Sequence, residues 1–146
     1  MKRLILAVLL AVLTALAPVV TQAAGTVVPT STDHVSGQDV TVYTYTLTGD
    51  ASDGSFPATA SEPINGWIIR VETNPGATTP TAGWGLTLVS NEADVLKGVL
   101  APGVPSATTT TTVEAPQPYI RGAVTITPTG NSVNSAVVVL RITVLR

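Results

Sequence analysis

Apolar and polar residues alternate in several short segments of this chain, which is the pattern of β-strands that bury one face. Residues 39–48, DVTVYTYTLT, show it most clearly, because β-branched and aromatic residues fill the segment. Tyr43, Tyr45 and Leu47 fall on one face of this strand, and valines and threonines fall on the other. Such an aromatic pair either packs in the core with its hydroxyl groups at the edge or, when exposed, forms a platform for carbohydrate.

Two further segments open with Gly-Trp and end with Asn: residues 66–74, GWIIRVETN, and residues 83–91, GWGLTLVSN. Alternation puts three apolar side chains of each strand on one face: Trp67, Ile69 and Val71 in the first, and Trp84, Leu86 and Leu88 in the second. Residues 74–82 contain two prolines and a glycine, so they predict a loop. The simplest arrangement is a long-looped antiparallel hairpin with both tryptophans facing one core.

The remaining elements follow from the same pattern. Residues 120–127 place four apolar or small residues on one face: Ile120, Gly122, Val124 and Ile126. After a turn at residues 128–135, residues 136–145 are nearly all apolar, as expected of a central strand buried on both faces. Residues 92–101 fit a helical turn or a strand, and the threonine run at residues 108–112 fits a loop or an edge strand.

The N-terminus has the order of a secretory signal peptide: a basic start, an apolar run over residues 4–17, and the small residues Ala23 and Ala24. We therefore expect residues 1–24 to be removed, and the mature protein to be secreted, periplasmic or extracellular, or part of a virion. An uncleaved anchor fits less well, because an apolar stretch that ends at Val20 is short for a bilayer span of about 20 residues.

These elements predict an all-β fold, an antiparallel β-sandwich of about six to eight strands after the signal peptide. In domain terms, residues 1–24 are the signal peptide, residues 25–38 an extended N-terminal arm or an edge strand, and residues 39–146 the sandwich. The composition agrees with a turn-rich β fold, since charged residues make up only 11% of the chain.

The residue inventory excludes several kinds of chemistry. Cysteine is absent, so disulfides, thiol catalysis and zinc–thiolate sites are excluded. The basic residues are scattered, which argues against nucleic-acid binding. The chain has no nucleophile elbow, zinc-binding helix motif, phosphate-binding loop or dinucleotide glycine motif. We therefore predict that the protein is not an enzyme and uses no cofactor or metal.

Three features carry weaker chemical signals. His34 beside Asp33 is a candidate ligand or base, although a surface histidine near an aspartate is the commoner case. Asp50 and Asp53 lie near Gly54 and suggest calcium, but their spacing does not match the calcium-loop pattern, and an Asp-Gly turn explains them better. A carboxylate pair for glycoside hydrolysis needs two of four glutamates to meet in space: Glu62, Glu72, Glu92 and Glu114.

A resemblance to a known family adds a functional expectation. It is carried by four stretches: GWIIRVETNPGATTPT at residues 66–81, LTL at residues 86–88, DVLKG at residues 94–98 and GAVTI at residues 122–126. Their order resembles that of a family of small proteins encoded in tailed-phage genomes, described as hypothetical or virion structural proteins. In that family a glycine-led strand precedes a T-x-P-G-x-x-x-P-T loop, a D-V-L-x-G step and a late G-x-L/V-T strand.

The likeness covers roughly residues 43–146 and implies a β-rich structural role in a particle or at a surface, with no catalytic residue. The signal peptide sets this chain apart, because virion proteins assemble in the cytoplasm, and it implies an exported member of such a family.

We therefore predict a non-enzymatic structural or surface protein, either a phage-type virion or particle component or an exported assembly subunit. Its expected partners are copies of itself or other structural proteins, with no nucleic acid and no stable membrane anchor after cleavage. The alternative is a secreted glycan-binding or adhesion module that uses exposed Trp or Tyr side chains. The candidate ligand or interface residues are Tyr43, Tyr45, Trp67 and Trp84, and their burial distinguishes the two hypotheses.

Overall fold

The computed structural model describes residues 23–35, 37, 39–90, 105–114 and 119–146. Within these residues the chain forms nine strands: β1 (Thr26–His34), β2 (Val40–Thr48), β3 (Thr59–Ala60), β4 (Ile64–Pro75), β5 (Gly85–Val89), β6 (Thr111–Glu114), β7 (Tyr119–Gly122), β8 (Thr125–Thr129) and β9 (Val137–Leu145). They form two antiparallel sheets that share one hydrophobic core, so the predicted all-β antiparallel sandwich is confirmed. The predictions for residues 1–22 and 92–101 lie outside the described residues.

The larger sheet has the strand order β1-β2-β9-β4-β6, and β7 joins it by pairing with the first part of β4. β4 therefore has β9 on one side and both β7 and β6 on the other. The smaller sheet has the order β3-β8-β5. Residues 26–34 of the N-terminal segment are an edge strand of the larger sheet, and the threonine run ends in β6.

The core lies between the two sheets. β2 contributes Tyr43, Tyr45 and Leu47, all at most 3% exposed, as the alternation predicted. β5 and the residue before it contribute three more predicted core residues: Trp84, Leu86 and Leu88. The Trp84 ring packs on Phe56 with ring centroids 5.9 Å apart. These two strands have uninterrupted alternation, and here the sequence pattern predicts the buried face correctly.

The predicted hairpin of the two Gly-Trp strands is wrong. β4 lies in the larger sheet and β5 in the smaller one, so the strands are not neighbours. Trp84 is fully buried, whereas Trp67 is 47% exposed. A β-bulge between Ile68 and Arg70 explains the difference, because the extra residue changes which side chains of β4 face the core. The apolar core residues of this strand are therefore Ile64, Ile68 and Val71, rather than the predicted Trp67, Ile69 and Val71.

Two other strand predictions need correction. Residues 120–127 form two strands instead of one, β7 in the larger sheet and β8 in the smaller. Gly122 lies at the junction with a φ of 106°, a backbone conformation that glycine adopts at little cost. β9 is central in its sheet, but its residues alternate between buried and partly exposed, so it is not buried on both faces.

Candidate interaction surface

The larger sheet has an inner face, which packs on the core, and an outer face on the opposite side. Residues on the outer face of the three central strands are all partly or fully exposed. They are Val40, Val42, Thr44, Thr46 and Thr48 of β2, Val137, Val139, Arg141, Thr143 and Leu145 of β9, and Asn65, Trp67, Arg70, Glu72 and Asn74 of β4. Valine and threonine predominate because both suit a pleated surface.

Four apolar side chains cross one end of this face in register. Val40 pairs with Leu145, Leu145 with Trp67, and Trp67 with Tyr119. Residues that are directly opposite on neighbouring strands have Cβ atoms about 4.5–5.5 Å apart, so these side chains are neighbours. We call Val40, Leu145, Trp67 and Tyr119 the apolar row. Leu145, Trp67 and Tyr119 are 40%, 47% and 42% exposed.

The aromatic pair of the apolar row has a defined geometry. The ring centroids of Trp67 and Tyr119 are 5.6 Å apart and the ring planes make an angle of 76°. This edge-to-face arrangement is favoured by the ring quadrupoles and holds both rings in place. The sequence analysis missed Tyr119, because only its pairing with β4 places it beside Trp67.

The middle of the outer face carries an ion-pair cluster. Glu72 accepts a hydrogen bond from Arg70 Nη2 at 3.0 Å on one carboxylate oxygen and one from Arg141 Nη1 on the other. The Glu72 side chain is 17% exposed, and both arginines are more than 40% exposed. Exposed pairs of this kind stabilise the fold by at most about 1 kcal/mol. Their clearer effect is to fix the arginine side chains on the surface.

The larger apolar side chains that remain exposed are concentrated on this face. Six are exposed among the described residues: Val28, Val35, Trp67, Val89, Tyr119 and Leu145. Four of them lie on the outer face, since Val28 pairs with Thr46 there. Contiguous exposed apolar surface is a mark of interaction sites, whereas single exposed apolar residues need no explanation.

The four candidate residues from the sequence separate into two groups. Tyr43, Tyr45 and Trp84 lie in the core, and Trp67 lies at the surface. The polar group of each of these three buried side chains has a partner: the Tyr43 hydroxyl accepts from Arg146, the Tyr45 hydroxyl accepts from the Glu62 N–H, and the Trp84 indole N–H donates to the Ser106 carbonyl. Burial raises the pKa of Tyr45 above its ordinary value. These three aromatic side chains are therefore part of the packed core.

The aspartates of the β2–β3 loop accept hydrogen bonds from other residues of the same loop. Asp50 Oδ1 accepts hydrogen bonds from the Ser52 hydroxyl and N–H and from the Asp53 N–H. The hydrogen bonds from Ser52 lower the pKa of Asp50 below its ordinary value. Asp53 accepts from the Ser55 N–H at 2.8 Å. Within the described residues no group of three or more histidines, aspartates or glutamates is placed to hold a metal ion.

The other candidate groups are dispersed. His34 Nδ1 lies 3.0 Å from the Thr41 hydroxyl oxygen, at the edge of the larger sheet. Glu62 precedes β4 and Glu72 lies near its other end, so about eight strand residues, or roughly 25 Å, separate them. That distance exceeds the roughly 5–10 Å between paired glycosidase carboxylates. Glu92 and the Glu114 side chain lie outside the described part of the structure.

Comparison with protein-family models, with curated proteins and with solved structures finds no match to this chain. Among the described residues, no helix is long and apolar enough to cross a membrane.

Proposed function

We propose that this protein is a non-enzymatic structural or surface protein, either an exported assembly subunit or a component of a phage-type particle. The outer face of the larger sheet is its contact surface with other proteins of the assembly. The observation that carries the proposal is the apolar row, in which Leu145, Trp67 and Tyr119 are each at least 40% exposed and aligned in register.

The chemistry of this surface supports protein binding. Tryptophan, tyrosine and arginine dominate the energetic centres of protein interfaces. Trp67 and Tyr119 lie side by side, and exposed Arg121 lies two residues further along β7 on the same face. Covering the exposed part of Trp67 would remove about 100 Å² from water and contribute about 2–3 kcal/mol.

The rigidity of the surface favours the same function. The apolar row lies on four hydrogen-bonded strands, β2, β9, β4 and β7, rather than on loops. Binding therefore requires little ordering of the backbone, and the entropy cost of association is lower than for a mobile loop. Such a preorganised surface suits a subunit that must make the same contact many times.

The test is incorporation into particles by cells that make the protein. Exported material is separated by size, and fractions are examined by negative-stain electron microscopy and probed for the chain. We expect the wild type in a high-mass fraction that contains regular particles, and Trp67→Ala in the low-mass fraction. Val89→Ala is the matched control, because Val89 is 41% exposed but lies in the smaller sheet. Wild-type protein found only in the low-mass fraction contradicts the proposal.

A second candidate function is a secreted glycan-binding or adhesion module, and the exposed Trp67–Tyr119 pair favours it. The 76° angle between the rings means that a flat sugar face can stack on one ring only, so the pair offers a single stacking position. Titration with saccharides, followed by tryptophan fluorescence, tests this function. Saturable quenching that Trp67→Ala abolishes supports it, and no response to a broad glycan panel excludes it.

A further inference from the structure

We propose that the partner on the outer face is a second copy of this chain, with the two larger sheets packed face to face. This inference rests on the proposed function and names the first contact in the assembly. The resulting dimer has four layers, with the two smaller sheets on the outside.

The size of the face fits a stable dimer. The larger sheet is five strands wide, and its β1, β2 and β9 strands each have nine residues. At about 4.8 Å between strands and about 3.3 Å per residue, the face measures about 24 by 30 Å, or roughly 700 Å². Specific interfaces bury about 800 Å² per partner, so one face covered by another reaches the usual size.

The shape of the face also suits a second copy. Sheets pack face to face when their twists match, with strand directions about 30° apart and about 10 Å between the sheets. A second copy supplies a sheet of identical twist. Outward side chains of β2 are only valine and threonine: Val40, Val42, Thr44, Thr46 and Thr48. Over β2 these short side chains allow a second sheet to approach to the normal distance.

The charged residues on the outer face of β1, β2, β4 and β9 include both signs, so two identical faces can pack together. Arg70 and Arg141 lie on this face, and Glu72 is hydrogen-bonded to both. Asp33 of β1 pairs with Val42 and lies on the same face, so on these four strands two acidic groups balance the two arginines. Exposed Arg121 of β7 adds one positive charge, and so small a net charge repels a second copy only weakly. The carboxylate of Glu72 keeps its partners when it is covered.

The β1 edge of the larger sheet is poorly suited to self-association. β1 carries Pro29, and its register shifts between Pro29 and Ser31 because of a bulge. Proline and bulges on an edge strand hinder the addition of another strand. Edge-to-edge pairing of two copies through β1 is thus disfavoured.

Sedimentation-velocity ultracentrifugation of the exported protein over a wide concentration range tests the inference. We expect the smallest assembled species to have twice the mass of the monomer and to be in equilibrium with monomer on dilution. Thr46→Lys places a positive charge on the outer face. In the monomer the lysine side chain stays in water, whereas in the dimer it would be buried without a partner of opposite charge. We expect it to raise the dissociation constant about 100-fold or more. Thr87→Lys is the matched control, because Thr87 is exposed in mid-strand on the smaller sheet, and it should dimerise normally.

Thermal melts establish that both variants fold. A protein that is monomeric at all concentrations, or a dimer that Thr46→Lys leaves intact, overturns the inference. If such a protein still enters particles in a Trp67-dependent way, the proposed function stands and the partner is a different structural protein. If it enters none, the proposed function fails as well.

Discussion

Trp67 and Leu145 face each other across β4 and β9, and nearly half of each side chain is in contact with solvent. Both residues lie on central strands of the larger sheet, at one end of its outer face. Its neighbours Val40 and Tyr119 extend it into the apolar row. The proposed function is based on this row. Because Trp67 lies at the surface and Trp84 in the core, variants of the two residues distinguish effects on binding from effects on folding.

The two tryptophans are predicted to respond differently to replacement by alanine. Trp84 is fully buried and packs against Phe56, so Trp84→Ala should cost about 3–5 kcal/mol and lower the melting temperature sharply. Trp67→Ala removes a half-exposed ring and its contact with Tyr119, so it should lower the melting temperature clearly less than Trp84→Ala. Thermal denaturation followed by circular dichroism measures both, and an equal loss in the two variants would contradict the placement of Trp67 on the outer face.

Asn131 is predicted to hold three loops together. Its Oδ1 accepts from the Thr81 N–H at 2.9 Å, and its Nδ2 donates to the carbonyls of Gly54 and Val133. Asn131→Ala leaves these groups without partners and should destabilise the fold by about 2–3 kcal/mol. Asn65→Ala is the control, since Asn65 is exposed on β4. Urea denaturation gives the comparison, and equal unfolding free energies for the two variants would refute this role.

The pH dependence of stability is predicted to include a contribution from Asp50. Hydrogen bonds from Ser52 lower the pKa of Asp50 in the folded protein, so the folded state binds this proton more weakly than the unfolded state. The stabilisation is therefore complete above the ordinary pKa and is lost as the pH falls through the lowered one. Asp50→Asn should flatten the dependence of unfolding free energy on pH in this acidic range. An unchanged slope would argue against the hydrogen-bonded turn.

Export is predicted to remove the first 23 or 24 residues, because residues 1–24 have the basic–apolar–small order of a signal peptide. The mature chain then begins just before β1, which starts at Thr26. N-terminal sequencing of exported protein is the measurement. A chain that still begins with Met1 would show that the segment is retained.

Local alternation predicts the fold class and the buried faces of β2 and β5, because neither strand is interrupted. It fails for β4, because the bulge after Ile68 adds a residue and changes which side chains face the core. No residue type in this stretch indicates a bulge. It also misjudges β9, because three of its outward residues are apolar, Val137, Val139 and Leu145, so the strand is nearly all apolar although this face is partly exposed. The Trp67–Tyr119 contact depends on the pairing of β4 with β7, which are distant in sequence, so local patterns could not predict it.

The fluorescence of Trp67 is the most direct test of the outer face as a contact surface. Trp84→Phe leaves Trp67 as the one tryptophan of the chain and keeps an aromatic ring beside Phe56. In the dilute, dissociated protein its emission should be red-shifted and accessible to acrylamide. In the assembled protein we predict a blue-shifted emission and a quenching constant several-fold lower, because the ring leaves water. Emission and quenching that stay the same on assembly would contradict the account, since the protein would then assemble through another surface.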